Sequence, residues 1–450
     1  MSNSWKEFTI EEIGDVIGGG TPSTKNPDYW EGDISWITPK DLSGYKYKRI
    51  SKGERNITEL GLTKSSAKLL PKNTVLITSR APIGYVAIAD NEVTTNQGFK
   101  SIVLKDGFDS DYVYYLIKSN VRLLESVSSG STFKEISGNE LKKLRFNFPE
   151  LSQQKAIAYI LGTLDDKIEL NRKMNETLEQ MAQALFKSWF VNFDPVLDNA
   201  LAKGNKMPEV LKHKVEQRKE VISSGKYKAL PKELMELFPS SFEYHDELDK
   251  WIPEGWDVST VSDLADVVGG GTPSTKVEEY YCENGIPWLS PKDLSGYDWR
   301  YISKGAKDIT ELGLKKSSAK LMPKGTVLFS SRAPIGYVAI AENEVSTNQG
   351  FKSLVPKSGV PSEFLFQLLK ANVSAIEAIA SGSTFKEVSG TAIKDFTILN
   401  PPKEILDKYE LITKKWNHRF IQLQKETDSL VKQREVLLPQ LISGKLRLKN

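Results

Sequence analysis

The sequence predicts an α+β protein in which two copies of one domain are separated by two long antiparallel coiled-coil helices. Three observations predict it. The stretch from Ile37 to Lys105 recurs from Leu289 to Lys357 at an offset of 252, with 51 identities in 69 aligned positions. Each copy reads as short apolar runs, such as NTVLITS and YVAIA, bounded by the Gly, Pro and Asn that punctuate strands and turns. After each copy comes a stretch whose apolar residues fall on a heptad.

The chain's 450 residues are too many for one core and predict roughly two to four domains. Within the sequence, no apolar run approaches the ~20 residues needed to span a bilayer. The start, MSNSWKEFTIEE, lacks a basic-then-apolar signal pattern. Cys282 is the lone cysteine, so no intrachain disulfide or cysteine metal cluster is expected and a reducing cytoplasm is the expected home. His213, His245 and His418 lie far apart and form no helical metal-binding pair. Net charge is only +3, but it is unevenly placed. Ile37 to Arg80 carries ten Lys/Arg against three Asp/Glu, and Leu289 to Arg332 carries nine against four. A basic segment repeated in both copies points to a shared anionic partner, and DNA fits it.

The first domain is expected over 1–150 and the second over 251–401. WKEFTIEEIGDVIGGGTPSTK (Trp5 to Lys25) answers WDVSTVSDLADVVGGGTPSTK (Trp256 to Lys276), and SGSTFKEISG (Ser129 to Gly138) answers SGSTFKEVSG (Ser381 to Gly390). Asp109 to Val127 is the clearest internal helix, with aspartates at its start and Val113, Leu116, Ile117, Leu123 and Leu124 at helical spacing. The first long helix is expected over 151–192. Its seam is Ile157, Leu161, Leu164, Ile168, Leu178, Ala182, Leu185 and Trp189, with Asn171 and Asn175 on the same face to fix register. A charged connector over 193–250, with loop signals at KGNKMP, SSGK and FPSS, returns the chain to the second domain. The second long helix and a C-terminal tail fill 402–450, with Ile405, Tyr409, Ile412, Trp416, Leu423, Leu430 and Leu437 on its seam. Apolar seams in equivalent places of a repeat most simply pair with each other.

A doubled domain suits a doubled ligand, and a DNA site read in two halves is the commonest such ligand. Four repeated motifs have the side chains for it. GGGTPSTK offers Thr21, Ser23 and Lys25 (Thr272, Ser274 and Lys276 in the copy), with glycines for a tight turn or for close approach to a phosphate. SRAPIGY offers Arg80 and Tyr85 (Arg332 and Tyr337). TNQGFKS offers Asn96, Gln97 and Lys100 (Asn348, Gln349 and Lys352). Arg to guanine and Asn or Gln to adenine are the usual major-groove pairings. SGSTFKE offers Ser131, Thr132 and Lys134 (Ser383, Thr384 and Lys386), while Phe133 and Phe385 suit a loop anchor in the core. Lys40 and Lys292 stand for the basic segment that precedes these loops.

LNPPKE (Leu399 to Glu404) resembles the signature of amino-group methyltransferases but lacks the aromatic that stacks on a flipped base. It reads instead as a proline junction entering the second helix. No acid–base dyad, nucleophile with its base, or metal cluster repeats across the copies, so catalysis by this chain is not expected.

Together these features resemble the specificity subunit of a Type I restriction-modification enzyme. The residues that carry the resemblance are SGSTFKEISG with its copy, the block from Glu150 to Pro195, the LFPSSFEYHDEL…IPEGW bridge and the terminal LLPQLISGKL. The resemblance implies two target recognition domains, each reading half of a bipartite double-stranded DNA site, with the paired helices as spacer. It implies that two methyltransferase subunits dock on the helices and that restriction subunits join them. S-adenosylmethionine, ATP and Mg would belong to those partners, with no cofactor and no metal on this chain. The two recognition domains are more alike than is usual in the family, so a near-palindromic site is expected. The rival reading is a freestanding two-domain DNA-binding regulator.

Overall fold

The computed structural model describes residues 5–80, 82–130, 134–225, 229–382 and 386–448. They form two compact units. The first runs to Lys173 and includes the segment from Lys425 onward; the second is Met174–Gln424. Each long helix therefore contributes one part to each unit.

In the first unit a five-stranded sheet runs in the order Gly14–Gly18, Lys100–Leu104, Val75–Ile77, Val86–Ala89, Arg49–Ile50. All its pairings are antiparallel except the last. A three-stranded sheet holds Trp30–Ile37 between Arg55–Ile57 and Thr94–Thr95. The strands are short because Gly, Pro and Asn interrupt them, as at Asn73, which turns with φ 69. The expected helix over 109–127 is two helices, Ser110–Ser119 and Val121–Ser126, broken at Asn120. Its copy runs unbroken over Ser362–Ala378. Ala371, a better helix former, stands there in place of Ser119.

The second unit repeats the design. Ala265–Gly269, Lys352–Pro356, Val327–Ser331, Ile335–Ala341 and Tyr301–Ile302 form its five-stranded sheet, beside a four-stranded one. The connector does not stretch out as a plain return segment. It folds onto this unit as the helices Asp194–Lys203 and Lys212–Ser223 and the hairpin Phe242–His245/Lys250–Pro253. Arg218 grips Asp198 through two hydrogen bonds of 2.7 Å, and the Asn199 amide donates to the carbonyl of Phe238 at 2.8 Å. Trp189 packs edge-on against Phe238, and Phe193 against Trp256.

The long helices span Leu151–Phe190 and Lys403–Ile442, 40 residues each, or about 60 Å at ~1.5 Å per residue. On the first seam Ile157, Leu161, Ile168, Asn171, Asn175, Ala182 and Trp189 are buried, with Leu164, Leu178 and Leu185 half-buried. On the second, Ile405, Tyr409 and Leu423 are buried, and Ile412, Trp416, Leu430 and Leu437 half-buried. The helices pair antiparallel within each unit. In the first, Asp165 meets Arg434 at 2.6 Å and Asn171 donates to Glu426 at 3.0 Å. In the second, Arg419 reaches the Met174 sulfur at 3.9 Å and Trp189 packs on Tyr409. Pro401 and Pro402 stand just ahead of the second helix, where the sequence places a junction.

Candidate nucleic-acid interface

In each unit the four repeated motifs come to one patch, joined by backbone and side-chain bonds. GGGTPSTK leaves the edge strand Gly14–Gly18 and lies against TNQGFKS, Gly20 N–H donating to the Thr95 carbonyl at 2.8 Å. Its glycines are there for packing. None of Gly18, Gly19 or Gly20 has positive φ. A Cβ on Gly19 would stand 2.0 Å from the Asn96 carbonyl oxygen, and one on Gly20 2.3 Å from Ala67 N. Gly270 and Gly271 repeat this, at 2.0 Å from the Asn348 oxygen and 2.3 Å from Ser318 Oγ. The Thr21 hydroxyl donates to the Gln97 side-chain oxygen, and Thr272 does the same to Gln349.

TNQGFKS is in turn fixed to SRAPIGY. Ser79 N–H donates to the Gly98 carbonyl at 2.7 Å, and Ser331 to Gly350 at 2.8 Å. Asn96 spends its side-chain oxygen on the Gly98 N–H at 2.9 Å, as Asn348 does on Gly350 at 2.8 Å. These asparagines thus hold the turn, keeping only their NH2 for a ligand. SGSTFKE closes the patch: Ile136 N–H donates to the Ser79 carbonyl at 3.0 Å, and Val388 to Ser331 at 3.0 Å. Ser131, Thr132, Phe133, Ser383, Thr384 and Phe385 lie outside the described residues.

The residue that sequence reasoning missed is the glutamate ending this motif. Glu135 stands between two of the candidate cations, 3.6 Å from Arg80 and 3.4 Å from Lys100. Glu387 stands 3.3 Å from Arg332 and 3.1 Å from Lys352. It was visible in the text as the acid following Lys134 and Lys386 in both copies. Arg80 and Glu135 are each 38% exposed, so solvent screens the pair to ~0–1 kcal/mol. Such a contact orients the guanidinium yet yields it cheaply to a stronger anion.

The remaining candidates surround this patch unevenly. Ser23, Lys25, Lys134, Ser274, Lys276 and Lys386 are exposed. Tyr85 and Tyr337 are half-buried, packed on the apolar core of their unit. Lys40 is exposed and pairs with Glu54 at 2.8 Å, whose hydrogen bond raises the lysine's pKa. In the copy Ala306 replaces Glu54, and Lys292 is exposed.

Two divergent patches lie near the loops in sequence, and only one is near them in space. Asn26–Trp36 packs against the GGGTPSTK loop through two buried indoles: Trp36 Nε1 donates to the Gly20 carbonyl at 2.9 Å and Trp30 Nε1 to that of Ser23 at 3.2 Å. Arg55 lies 3.7 Å over the Trp30 ring. The copy has Lys307 at 5.6 Å from Tyr281. Lys46–Arg49 and Asp298–Tyr301 instead anchor each unit to a long helix. Lys48 meets Asp111 at 2.9 Å and Asp166 at 3.9 Å. Arg300, fully buried, grips Glu179 between the rings of Phe366 and Phe420. Both helix partners, Asp166 and Glu179, lie on the first long helix, one in each unit.

Among the described residues, no group of three or more His, Cys, Asp or Glu is placed to hold a metal ion. No described helix is long and apolar enough to cross a membrane.

A family profile described as "Type I restriction modification DNA specificity domain" matches residues 2–180 and again 253–435. The chain is 36% identical to the Type I restriction enzyme MjaIX specificity subunit of Methanocaldococcus jannaschii, covering 100% of this chain and 95% of that one. It is 26% identical to the Type I restriction enzyme HindI specificity subunit of Haemophilus influenzae, over 99% and 100% of the two chains. Among solved structures it resembles the S subunit of a Type I restriction-modification system from M. genitalium, with TM-score 0.59, 18% identity and coverage of 98% and 97%. At that identity the likeness is one of fold.

Proposed function

Because the chain belongs to the family of Type I restriction-modification specificity subunits, the non-catalytic DNA-recognition components of such systems, we propose that it reads a bipartite, near-palindromic DNA site. Each unit takes one half-site through its loop patch, and the two long helices serve as the spacer that sets the gap. One observation carries this reading: the same loop patch is built twice from the same bonds. Thr21–Gln97 recurs as Thr272–Gln349, and Arg80–Glu135–Lys100 recurs as Arg332–Glu387–Lys352. Equal side chains held equally present equal chemistry to base edges.

On this reading Arg80 and Arg332, with the amide groups of Gln97 and Gln349, contact bases. The exposed lysines, Lys25, Lys134, Lys276 and Lys386, contact phosphates. Two methyltransferase subunits dock on the helices and restriction subunits join them in the cytoplasm. S-adenosylmethionine, ATP and Mg act on those partners. The test is methylome sequencing of a host carrying the system, beside incubation of the purified chain with DNA and labelled S-adenosylmethionine. Inverted, nearly equal half-sites and no methyl transfer by the chain alone are expected. Two unrelated half-sites would overturn the palindrome, and transfer by the chain alone would overturn the division of labour.

A further inference from the structure

The first unit holds a cavity of about 260 Å³ whose lining includes Lys118, Arg172 and Arg434 together with Tyr45, Tyr85 and Tyr114. Asp165, Glu169 and Glu435 lie close enough to act on these cations, but among the described residues only Arg434 of the three cations is in an ion pair. Arg434 donates to Asp165 at 2.6 Å, and Asp165 also accepts from the Tyr115 hydroxyl at 2.7 Å. Glu435, 3.9 Å from Arg434, is 66% exposed and weakly placed. Arg172 donates to a backbone carbonyl, that of Lys46, at 3.1 Å. The Lys118 ammonium meets the Tyr114 hydroxyl at 2.9 Å. Lys118 is exposed overall and Arg172 half-buried; partial desolvation of their charged ends, and then the neighbouring Arg434, hold both below their ordinary pKa. An anion entering here would relieve that repulsion.

The fold itself does not require these charges. The offset of 252 that relates the two copies also relates the starts of the long helices, Leu151 and Lys403. At that offset Gln424 stands for Arg172 and Ala182 for Arg434. Gln424 makes an ordinary neutral hydrogen bond to the Tyr297 hydroxyl at 2.7 Å, and Ala182 is fully buried. The second unit closes the same junction with no arginine at either helix position, and keeps Lys370 where the first unit has Lys118.

We propose that Lys118, Arg172 and Arg434 form a phosphate-binding pocket particular to the first unit. Its volume lies below the ~300–1,000 Å³ of sites that enclose drug-sized ligands, which suits a phosphate group and excludes a whole nucleotide. Gly84 and Tyr85 line it and belong to the same SRAPIGY motif as Arg80. The phosphate is one of the DNA backbone beside the first half-site, or a free anion of the same chemistry. The first source rests on the DNA-reading function proposed above; the second does not.

The test uses the full chain, with Arg172→Gln, which copies the second unit, and Lys118→Met, which keeps the apolar stem. Binding of a random-sequence duplex is measured against salt, and inorganic pyrophosphate is titrated calorimetrically into the chain alone. Loss of one phosphate contact flattens the slope of log K against log salt by about 0.9. That result in either folded variant identifies DNA as the source. An unchanged slope with pyrophosphate binding lost identifies a free anion. Slopes and pyrophosphate titrations alike in wild type and both variants would overturn the pocket. Should the wild type fail to bind duplex at all, the DNA reading falls while the pyrophosphate titration still decides the pocket.

Discussion

Arg300 and Glu179 meet through two parallel hydrogen bonds of 2.8 Å, with the arginine side chain wholly enclosed and the glutamate 22% exposed. Burial opposes the guanidinium's charge, but the Glu179 bonds outweigh it and hold its pKa above the ordinary value. Removing one partner of such a buried pair strands the other charge and costs ~3–5 kcal/mol. Arg300→Ala and Glu179→Ala are each expected to destabilise the second unit by about that much in urea unfolding. The double change Arg300→Met with Glu179→Leu should cost far less. A double mutant as damaged as the singles would show that the pair's geometry, not its charge, holds the junction.

If the proposed function holds, the loop cations divide into readers and holders. Arg80→Ala is expected to cost roughly 1–3 kcal/mol on specific DNA and relax preference at one position, while exposed Lys68→Ala weakens all sequences alike and lessens the salt slope. Equal losses for both variants on specific and random duplexes would assign Arg80 to phosphate.

Glu135 restrains Arg80 and Lys100 together. Glu135→Gln removes one negative charge from the patch and should raise affinity for random duplex while steepening its salt dependence. Competition binding at several salt concentrations checks this. A drop in nonspecific affinity would mean that the carboxylate's ordering of the loop outweighs its charge.

The two half-sites are expected to differ where Arg55 and Trp30 face Lys307 and Tyr281. A guanidinium laid flat on an indole is an oriented fork for guanine or phosphate; an ammonium is a point charge. Arg55→Lys should alter preference in the first half-site alone, and Lys307→Arg in the second alone. Methylation maps of hosts carrying each variant give the answer, and a change in both half-sites from one substitution would contradict it.

The length of the paired helices can be varied at Asn171, whose amide donates to Glu426 on the opposing helix. Four residues inserted after Asn171 and four after Lys425 add ~6 Å, about one turn, to both helices. The gap between half-sites should lengthen with the half-sites unchanged. An unaltered gap in a folded variant would remove the helices from that role.

Repetition made much of this legible in the sequence. Motifs copied at one offset announced two equal domains, and heptad seams announced the helices, because periodic burial leaves a periodic text. The role of each polar loop residue was not legible. Asn96 and Gln97 are adjacent and alike in chemistry, yet one ties a turn and the other faces outward. Lys48 and Arg300 differ between the copies, as residues that tell two half-sites apart would; each instead answers a carboxylate on the first long helix, Asp166 and Glu179. Glu135 is not legible in the sequence because an acid among expected DNA contacts carries no pattern of its own. Such assignments depend on partners far away in sequence, which local spacing does not encode.

The first unit takes part of its core from far along the chain. Leu441 and Ile442 are buried with Ile157, Leu161 and Phe148, and a Cβ on Gly444 would press against Trp5 at 3.0 Å. The second unit is one uninterrupted stretch, Met174–Gln424. During synthesis the ribosome must therefore deliver that entire stretch before the unit begun first can close, reversing the usual order in which N-terminal domains mature. A chain ending at Gln424 and released from the ribosome should show the first unit sensitive to protease and the second resistant. An equally protected first unit would show that its core closes without the late segment.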